Sequence, residues 1–262
     1  MKRELVSDLK TDLDAFCKIY AHRPIHDNSG GMGFNHSFGL WKMLTFLKPD
    51  LVVESGIWKG HSTWLIETTL PHAKIISFDT NLSVRQYVSS KVTYIESDFQ
   101  FYDWSRVNLE NSLIFFDDHQ NSFSRIILAN FFGFKRMVFE DNYTANNGDF
   151  YSLNHILSDS GFPDVQLSHK YRKSLRAKFK RAWYLPVLKR AGSHQNWIIP
   201  RNNFDSKNLK HRTHVMVTFP RILQSDGSIE NEFLSSAPDF KLVKSGSESE
   251  FAYNNITYLE LW

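Results

Sequence analysis

Residues 51–79 carry the feature that most constrains the chain. The run Leu51-Val52-Val53-Glu54-Ser55 breaks directly into a glycine turn, Gly56 to Gly60, and a second apolar run ends at Asp79. Five apolar and β-branched residues are too few for a helix and suit a buried parallel strand. Gly56 permits a tight turn straight after the strand, and Gly60 lets backbone come close to a ligand or a neighbouring helix. Ser62 is the expected N-cap of the helix that follows. Asp79 lies 19 residues after Gly60, where a carboxylate can accept two hydrogen bonds from a ribose diol. A strand–turn–helix unit that holds no ligand has the same outline, so the glycines alone do not decide function.

The alternation continues beyond this unit. Strands are expected at 51–55, 74–80, 91–97, 112–118 and 136–142, with helices at 62–70, 82–89 and 122–132. Strands separated by helices predict a doubly wound α/β sheet with right-handed crossovers. Two further strand-like runs, 213–222 and 255–262, bring the count to seven. Before the sheet, Leu5, Leu9, Leu13, Phe16 and Tyr20 recur at helical spacing, and a second helix is expected at 37–47 before Pro49. A turn-rich stretch joins the two, with the loop Gly30-Gly31-Met32-Gly33 and then His36. It reads as a connector or as a flap with glycine hinges. The organisation is therefore an N-terminal helical cap, 1–49, and a Rossmann-like domain, 50–262. A helix is expected at 151–160, and an insertion at about 161–211 includes the loop-like stretch 201–208.

Composition narrows the class. Hydrophobic residues are 42% and charged residues 23% of the 262, enough for a packed core, and the 22 Phe read mainly as its filling. No apolar run reaches the ~18 residues that span a bilayer, and the N-terminus has no signal-peptide pattern. Cys17 is the single cysteine, which excludes an intrachain disulfide and fits the cytoplasm. The net charge is +3, yet residues 169–190 are rich in Lys and Arg and hold no acid. Such a run is a solvated helix face or a docking site for an acidic substrate, a phosphate carrier or a membrane surface.

A second constellation sits at the ends of strands four and five. Asp117-Asp118-His119 follows one apolar run and Glu140-Asp141-Asn142 the other. In an open parallel sheet, ligands bind at the carboxyl ends of the strands, and carboxylates gathered there repel unless they share protons or bind a cation. Two carboxylates and an amide oxygen form a hard-oxygen site suited to Mg²⁺. Two independent acidic turns are the plainer alternative. No HxH or HExxH pair occurs, so no zinc site is expected.

The acid before the glycine turn, with a second acid ending strand two, resembles motif I of the class I S-adenosylmethionine-dependent methyltransferases over about residues 50–142. The resemblance implies a Rossmann-like seven-stranded sheet, mostly parallel with an antiparallel last strand. Glu54, Gly56 and Gly60 would line the methionine moiety, Ser62 would open the helix beside it, Asp79 would hold the ribose, and Asp98 would contact the adenine. The strand-end acids are similar to those of metal-dependent O-methyltransferases of the catechol, caffeoyl-CoA and macrolide-sugar types. By that likeness, Asp118 and Asp141 are metal carboxylates, Asn142 is the amide ligand, and the acceptor is a hydroxyl of a small molecule or a sugar.

Two departures qualify the likeness. Asn121 stands where the catechol enzyme has a lysine base, and strand five lacks the usual proline–glycine turn. The base then falls to His119, another group or a metal-bound hydroxide, because imidazole titrates near neutrality. His119 is equally open to a cofactor contact. A metal-dependent sugar-nucleotide transferase, or a non-catalytic Rossmann-fold protein docking an acidic partner, remain alternatives. Glu54 facing phosphates counts against the transferase. No nucleic-acid-binding module is visible. A homo-oligomer is open, and an acidic acceptor would suit the basic run.

Overall fold

The computed structural model describes residues 9–144, 147–158, 204–223 and 251–262. The basic run 169–190 and most of the expected insertion lie outside them, as does Leu5. Two compact units divide the chain. The first comprises residues 1–118, 126–142 and 213–262, and the second residues 119–125 and 143–212.

The first unit holds a seven-stranded Rossmann-like sheet in the order β3-β2-β1-β4-β5-β7-β6. Its strands are β1 (Leu51–Ser55), β2 (Lys74–Asp79), β3 (Val92–Glu96), β4 (Ser112–Phe116), β5 (Arg136–Phe139), β6 (Thr213–Thr218) and β7 (Thr257–Leu261). The first five pair in parallel, and β7 inserts antiparallel between β5 and β6. The seven expected strands and the antiparallel last one are all present. Every residue of β1 and β4 is buried, as parallel strands covered on both faces require. Because β2 lies on one side of β1 and β4 on the other, the strand order reverses at β1. Open parallel sheets bind ligands at such a reversal, beyond the carboxyl ends of the strands, here β1 and β4.

Helices α1 (Leu9–Tyr20) and α2 (Phe34–Leu47) pack in the same unit. Leu9, Leu13, Phe16 and Tyr20 recur at three- and four-residue steps, and all are buried. Phe16 meets the rings of Phe34, Phe38 and Trp41 at 5.2, 5.4 and 5.6 Å. α2 starts three residues earlier than its apolar spacing suggests. It ends at Lys48, left-handed at φ 45°, whose N–H returns to Leu44, before Pro49 forbids continuation. Helix α3 (His61–Thr69) follows the glycine turn, and α4 (Ser122–Phe132) lies where the sequence placed a helix.

Two expectations fail. The helix at 82–89 is only a 3₁₀ turn, Leu82–Val84, started by Asn81 accepting from Ser83 N–H. The N–H groups of Gln86 and Tyr87 donate instead to Lys59 C=O, at 2.9 and 3.0 Å, and so leave the helical ladder to pin this segment to the glycine turn. Conversely, the loop-like stretch 201–208 enters helix α6 (Phe204–Arg212). Asp205 in its first turn and Lys210, His211 and Arg212 in its last complement the helix dipole.

In the second unit, α5 (Leu153–Leu157) is capped by Ser152, whose backbone N–H donates to His155 Nδ1 at 3.2 Å. Tyr151 joins α5 to α6 through its hydroxyl and Asp205 (3.3 Å), and Tyr151 C=O accepts from Ser122 N–H (2.9 Å). Among the described residues, no helix is long and apolar enough to cross a membrane.

Asn35 ties α2 to the C-terminal part of the first unit. Its Oδ1 accepts from the N–H groups of Ile222 (3.0 Å) and Leu223 (2.8 Å), and its Nδ2 donates to Leu223 C=O (3.0 Å). Asn35 is 1% exposed, so water cannot replace these partners. Asn35→Ala is expected to lower the unfolding free energy by about 2–3 kcal/mol, measured by urea denaturation.

Candidate functional site

The glycine turn is held from both sides of the sheet. Gly56 N–H continues the ladder to β2, donating to Phe78 C=O (2.9 Å), while Ser55 C=O continues it to β4, accepting from Asp117 N–H (2.8 Å). Gly56 has φ +98°, and a Cβ there would lie 2.1 Å from Asp117 O and 2.9 Å from Asp118 N. Only glycine lets the two strand ends approach this closely. Ser55 then reaches across β4 and donates its hydroxyl to Asp118 Oδ2 at 2.6 Å.

Of the expected cofactor residues, Glu54, Ser62 and Asp79 lie around this turn and carry structural duties, while Asp98 lies beyond β3. Glu54 is fully buried, and Thr63 donates its hydroxyl to Oε2 (2.7 Å). Burial pushes its carboxyl above the usual range, while the hydroxyls of Ser62, Ser77 and Thr63 pull it back. Asp79 Oδ2 accepts the N–H groups of Ile57 (2.9 Å) and Trp58 (3.2 Å), and Oδ1 accepts from Asn81 (2.9 Å). It therefore braces the turn, including Trp58, which is left-handed at φ 49° and 45% exposed. Asp98 caps a short 3₁₀ turn by accepting from Gln100 N–H (3.0 Å). Ser62 is not the N-cap of α3. Gly60, at φ 93°, takes that place, because the turn needs a positive φ there and the helix begins at His61. α3 consequently has no side-chain cap on its first N–H groups. Gly60 closes against Tyr87, with a Cβ 3.0 Å from Tyr87 O, so its near neighbour is a loop and not a helix.

At the end of β5, Glu140 and Asp141 are 5% and 7% exposed and Asn142 is fully buried. Thr257 Oγ1 gives its proton to Asn255 C=O (2.7 Å) and accepts from Asn142 Nδ2 (2.9 Å), which leaves Oδ1 as the acceptor end of the amide. The structure brings in His36, which the sequence marked only as the residue that follows the glycine loop. His36, 104 positions before Glu140, brings Nδ1 onto Glu140 Oε1. The ligand atoms of His36, Glu140 and Asp141 all lie within 4.8 Å of one another. Asp118 is not in that group. His36 Nε2 accepts from Asn254 N–H (2.8 Å), so that nitrogen carries no proton, and Nδ1–H is the donor to Glu140. Burial lowers the His36 pKa to about 4 against the opposing pull of Asp141. The contact is thus a neutral imidazole on a carboxylate, and it spends both ring nitrogens. The carboxylate and amide oxygens here suit a hard cation, and buried carboxylates this close favour one.

His119 belongs to the second unit and is left-handed at φ 51°. Its Nδ1 meets Asp149 Oδ2 at 3.1 Å, and its ring stands edge-on to Phe150 at 5.6 Å. The hydrogen bond holds the Asp149 carboxyl below its usual range, so the carboxylate accepts and Nδ1–H donates. In the first unit, the glycine loop is closed on itself by Asn28 Nδ2 on Met32 C=O (3.0 Å). It is tied to the turn by Lys59 Nζ on Asp27 C=O (2.6 Å).

No described protein family matches the sequence, and no curated protein does. Solved structures are similar at low identity. CmcI in its N160 apo form is 22% identical over 38% of this chain and 48% of its own, with a TM-score of 0.33. The match thus spans about half the length of that protein. The SAH-bound Podospora anserina methyltransferase PaMTH1 is 10% identical over 98% and 89% of the chains, TM-score 0.44. The Bacillus cereus O-methyltransferase in complex with SAH is 12% identical over 97% and 89%, TM-score 0.41. With every TM-score below 0.5, these likenesses decide nothing about this chain's chemistry.

Gly56→Ala combines a strained φ with a backbone collision and is expected to destabilise the protein by more than about 2 kcal/mol, read by thermal melting. His61, at the start of α3, is 2% exposed beside Ser37 Oγ (3.0 Å from Nε2). Burial and then Arg23 lower its pKa from 6.5 to about 3. The unfolded chain takes up a proton below pH 6.5 that the folded one refuses until about pH 3. Stability should therefore fall with pH across that window, by about 1.4 kcal/mol per unit from this group. Urea melts at several pH values should show His61→Gln with a slope shallower by one proton.

Proposed function

We propose that the chain is an S-adenosylmethionine-dependent O-methyltransferase, assisted by a divalent cation such as Mg²⁺, acting on a hydroxyl of a small molecule or sugar. The observation that carries this reading is the joining of the glycine turn to Asp117–Asp118 at the point where the strand order reverses, with Gly56 against their backbone and Ser55 on the Asp118 carboxylate. Cofactor and acceptor chemistry must meet within a few ångströms, and this joint fixes the two binding elements to each other.

Within the reading, the uncapped N-terminus of α3 suits the methionine carboxylate. The buried Glu54, disfavoured as an anion on its own, suits a cationic partner. Asp79 would share its oxygens between the turn and the ribose, and Asp98 would border the adenine. Asp118, Asp141 and Asn142 would hold the cation, with Glu140 beside them. When bound, S-adenosylmethionine supplies an electrophilic methyl, and the cation supplies the Lewis acidity that lowers an acceptor hydroxyl's pKa. Within the second unit, Asp149 holds the Nδ1–H tautomer of His119, the form in which Nε2 is the basic nitrogen. The single cysteine, Cys17, fits a cytoplasmic setting.

Calorimetric titration with S-adenosylhomocysteine, with and without Mg²⁺, tests the reading. Saturable binding is expected, strengthened by the metal. No binding at about millimolar ligand overturns it. Asp141→Ala is expected to lower methyl transfer at least about tenfold, and unchanged turnover in that variant removes the metal from the proposal.

A further inference from the structure

We infer that Ser55 is a positioning residue for the proposed reaction, holding the Asp118 carboxylate in the rotamer that binds the cation. The inference rests on the metal half of the function proposed above. Ser55 ends β1, a strand buried throughout, and is 3% exposed. A hydroxyl in such a place must find a partner, and this one donates to a carboxylate that belongs to another strand end. At 2.6 Å, the contact lies in the range of charge-assisted O–H···O⁻ bonds, about twice as strong as neutral ones.

The geometry is over-determined. In the β1–β4 register Ser55 faces Phe116, so Asp118 lies two residues beyond its strand partner, outside the regular ladder. Two contacts from the same serine reach this extension: Ser55 C=O accepts Asp117 N–H (2.8 Å) and Ser55 Oγ–H donates to Asp118 Oδ2. One residue thus fixes both the backbone entering the turn and the carboxylate leaving it. Glu140 receives the equivalent service from His36 Nδ1–H, so each of the two strand-end acidic clusters is oriented by a donor from elsewhere in the fold. Donors that orient ligating carboxylates typically contribute about 10–100-fold in metal affinity.

The test is Mn²⁺ binding, followed by electron paramagnetic resonance, in wild type, Ser55→Ala, Asp118→Asn and the double variant. Ser55→Ala is expected to weaken Mn²⁺ about tenfold or more. The double variant should bind no more weakly than Asp118→Asn alone, since Ser55 acts only through that carboxylate. Ser55→Cys, which keeps the volume with a weaker donor, should lie between wild type and Ser55→Ala and carries the test should Ser55→Ala fail to fold. Wild-type Mn²⁺ affinity in both Ser55 variants, or additive losses in the cycle, overturns the inference. A wild-type protein that binds S-adenosylhomocysteine and no Mn²⁺ also overturns it, and leaves the cofactor reading in place. Mn²⁺ binding with the expected cycle but no S-adenosylhomocysteine binding sinks the cofactor reading and leaves Ser55 its role.

Discussion

The approach of the Gly56 backbone to the Asp117–Asp118 peptide is the constraint on which the site depends. In a parallel sheet the residues just past the strand ends are held by neither strand ladder nor helix, and would otherwise drift. Here β1 shares its last hydrogen bonds between β2 and β4, and a missing side chain at Gly56 lets the strand-four turn lie directly on the glycine turn. Substituting any larger residue would push Asp118 outward, however well the rest of the sheet packed.

The same economy recurs around the turn. Asp79, which the ribose reading needs, already neutralises two N–H groups of the turn and so offsets part of the strain at Trp58. Lys59 holds the segment after β2 through its carbonyl and the loop before α2 through its ammonium. Groups that would bind a ligand are thus held in place by backbone bonds made without one, which reduces the ordering cost of binding. The buried polar groups are correspondingly interlocked: Thr257 serves Asn142, and Asn254 fixes the tautomer of His36 that in turn orients Glu140.

Much of this architecture is legible in the sequence because it depends on local rules. Period-two and unbroken apolar runs marked all seven strands, and Phe16 or Trp41 at helical spacing marked the cap. Where a segment's backbone bonds go to a distant carbonyl, local reading fails. Residues 82–89 have helix-compatible residues, yet Gln86 and Tyr87 bond to Lys59. Residues 201–208 look like a loop by their Asn and Asp, yet from Phe204 to Arg212 the chain is helical, with charges that match the two ends of a helix dipole.

The sequence alone determined the sheet, the position of the glycine turn and the chemical character of the strand ends. Each of these follows from side-chain pattern and from the conformations glycine permits. Tertiary structure decided which groups meet. It brought Ser55 to Asp118 through strand register, and His36 to Glu140 across 104 residues of chain. It also gave the helix start to Gly60 in place of Ser62. Those pairings depend on the order in which strands lie in space, and no spacing along the chain encodes that order.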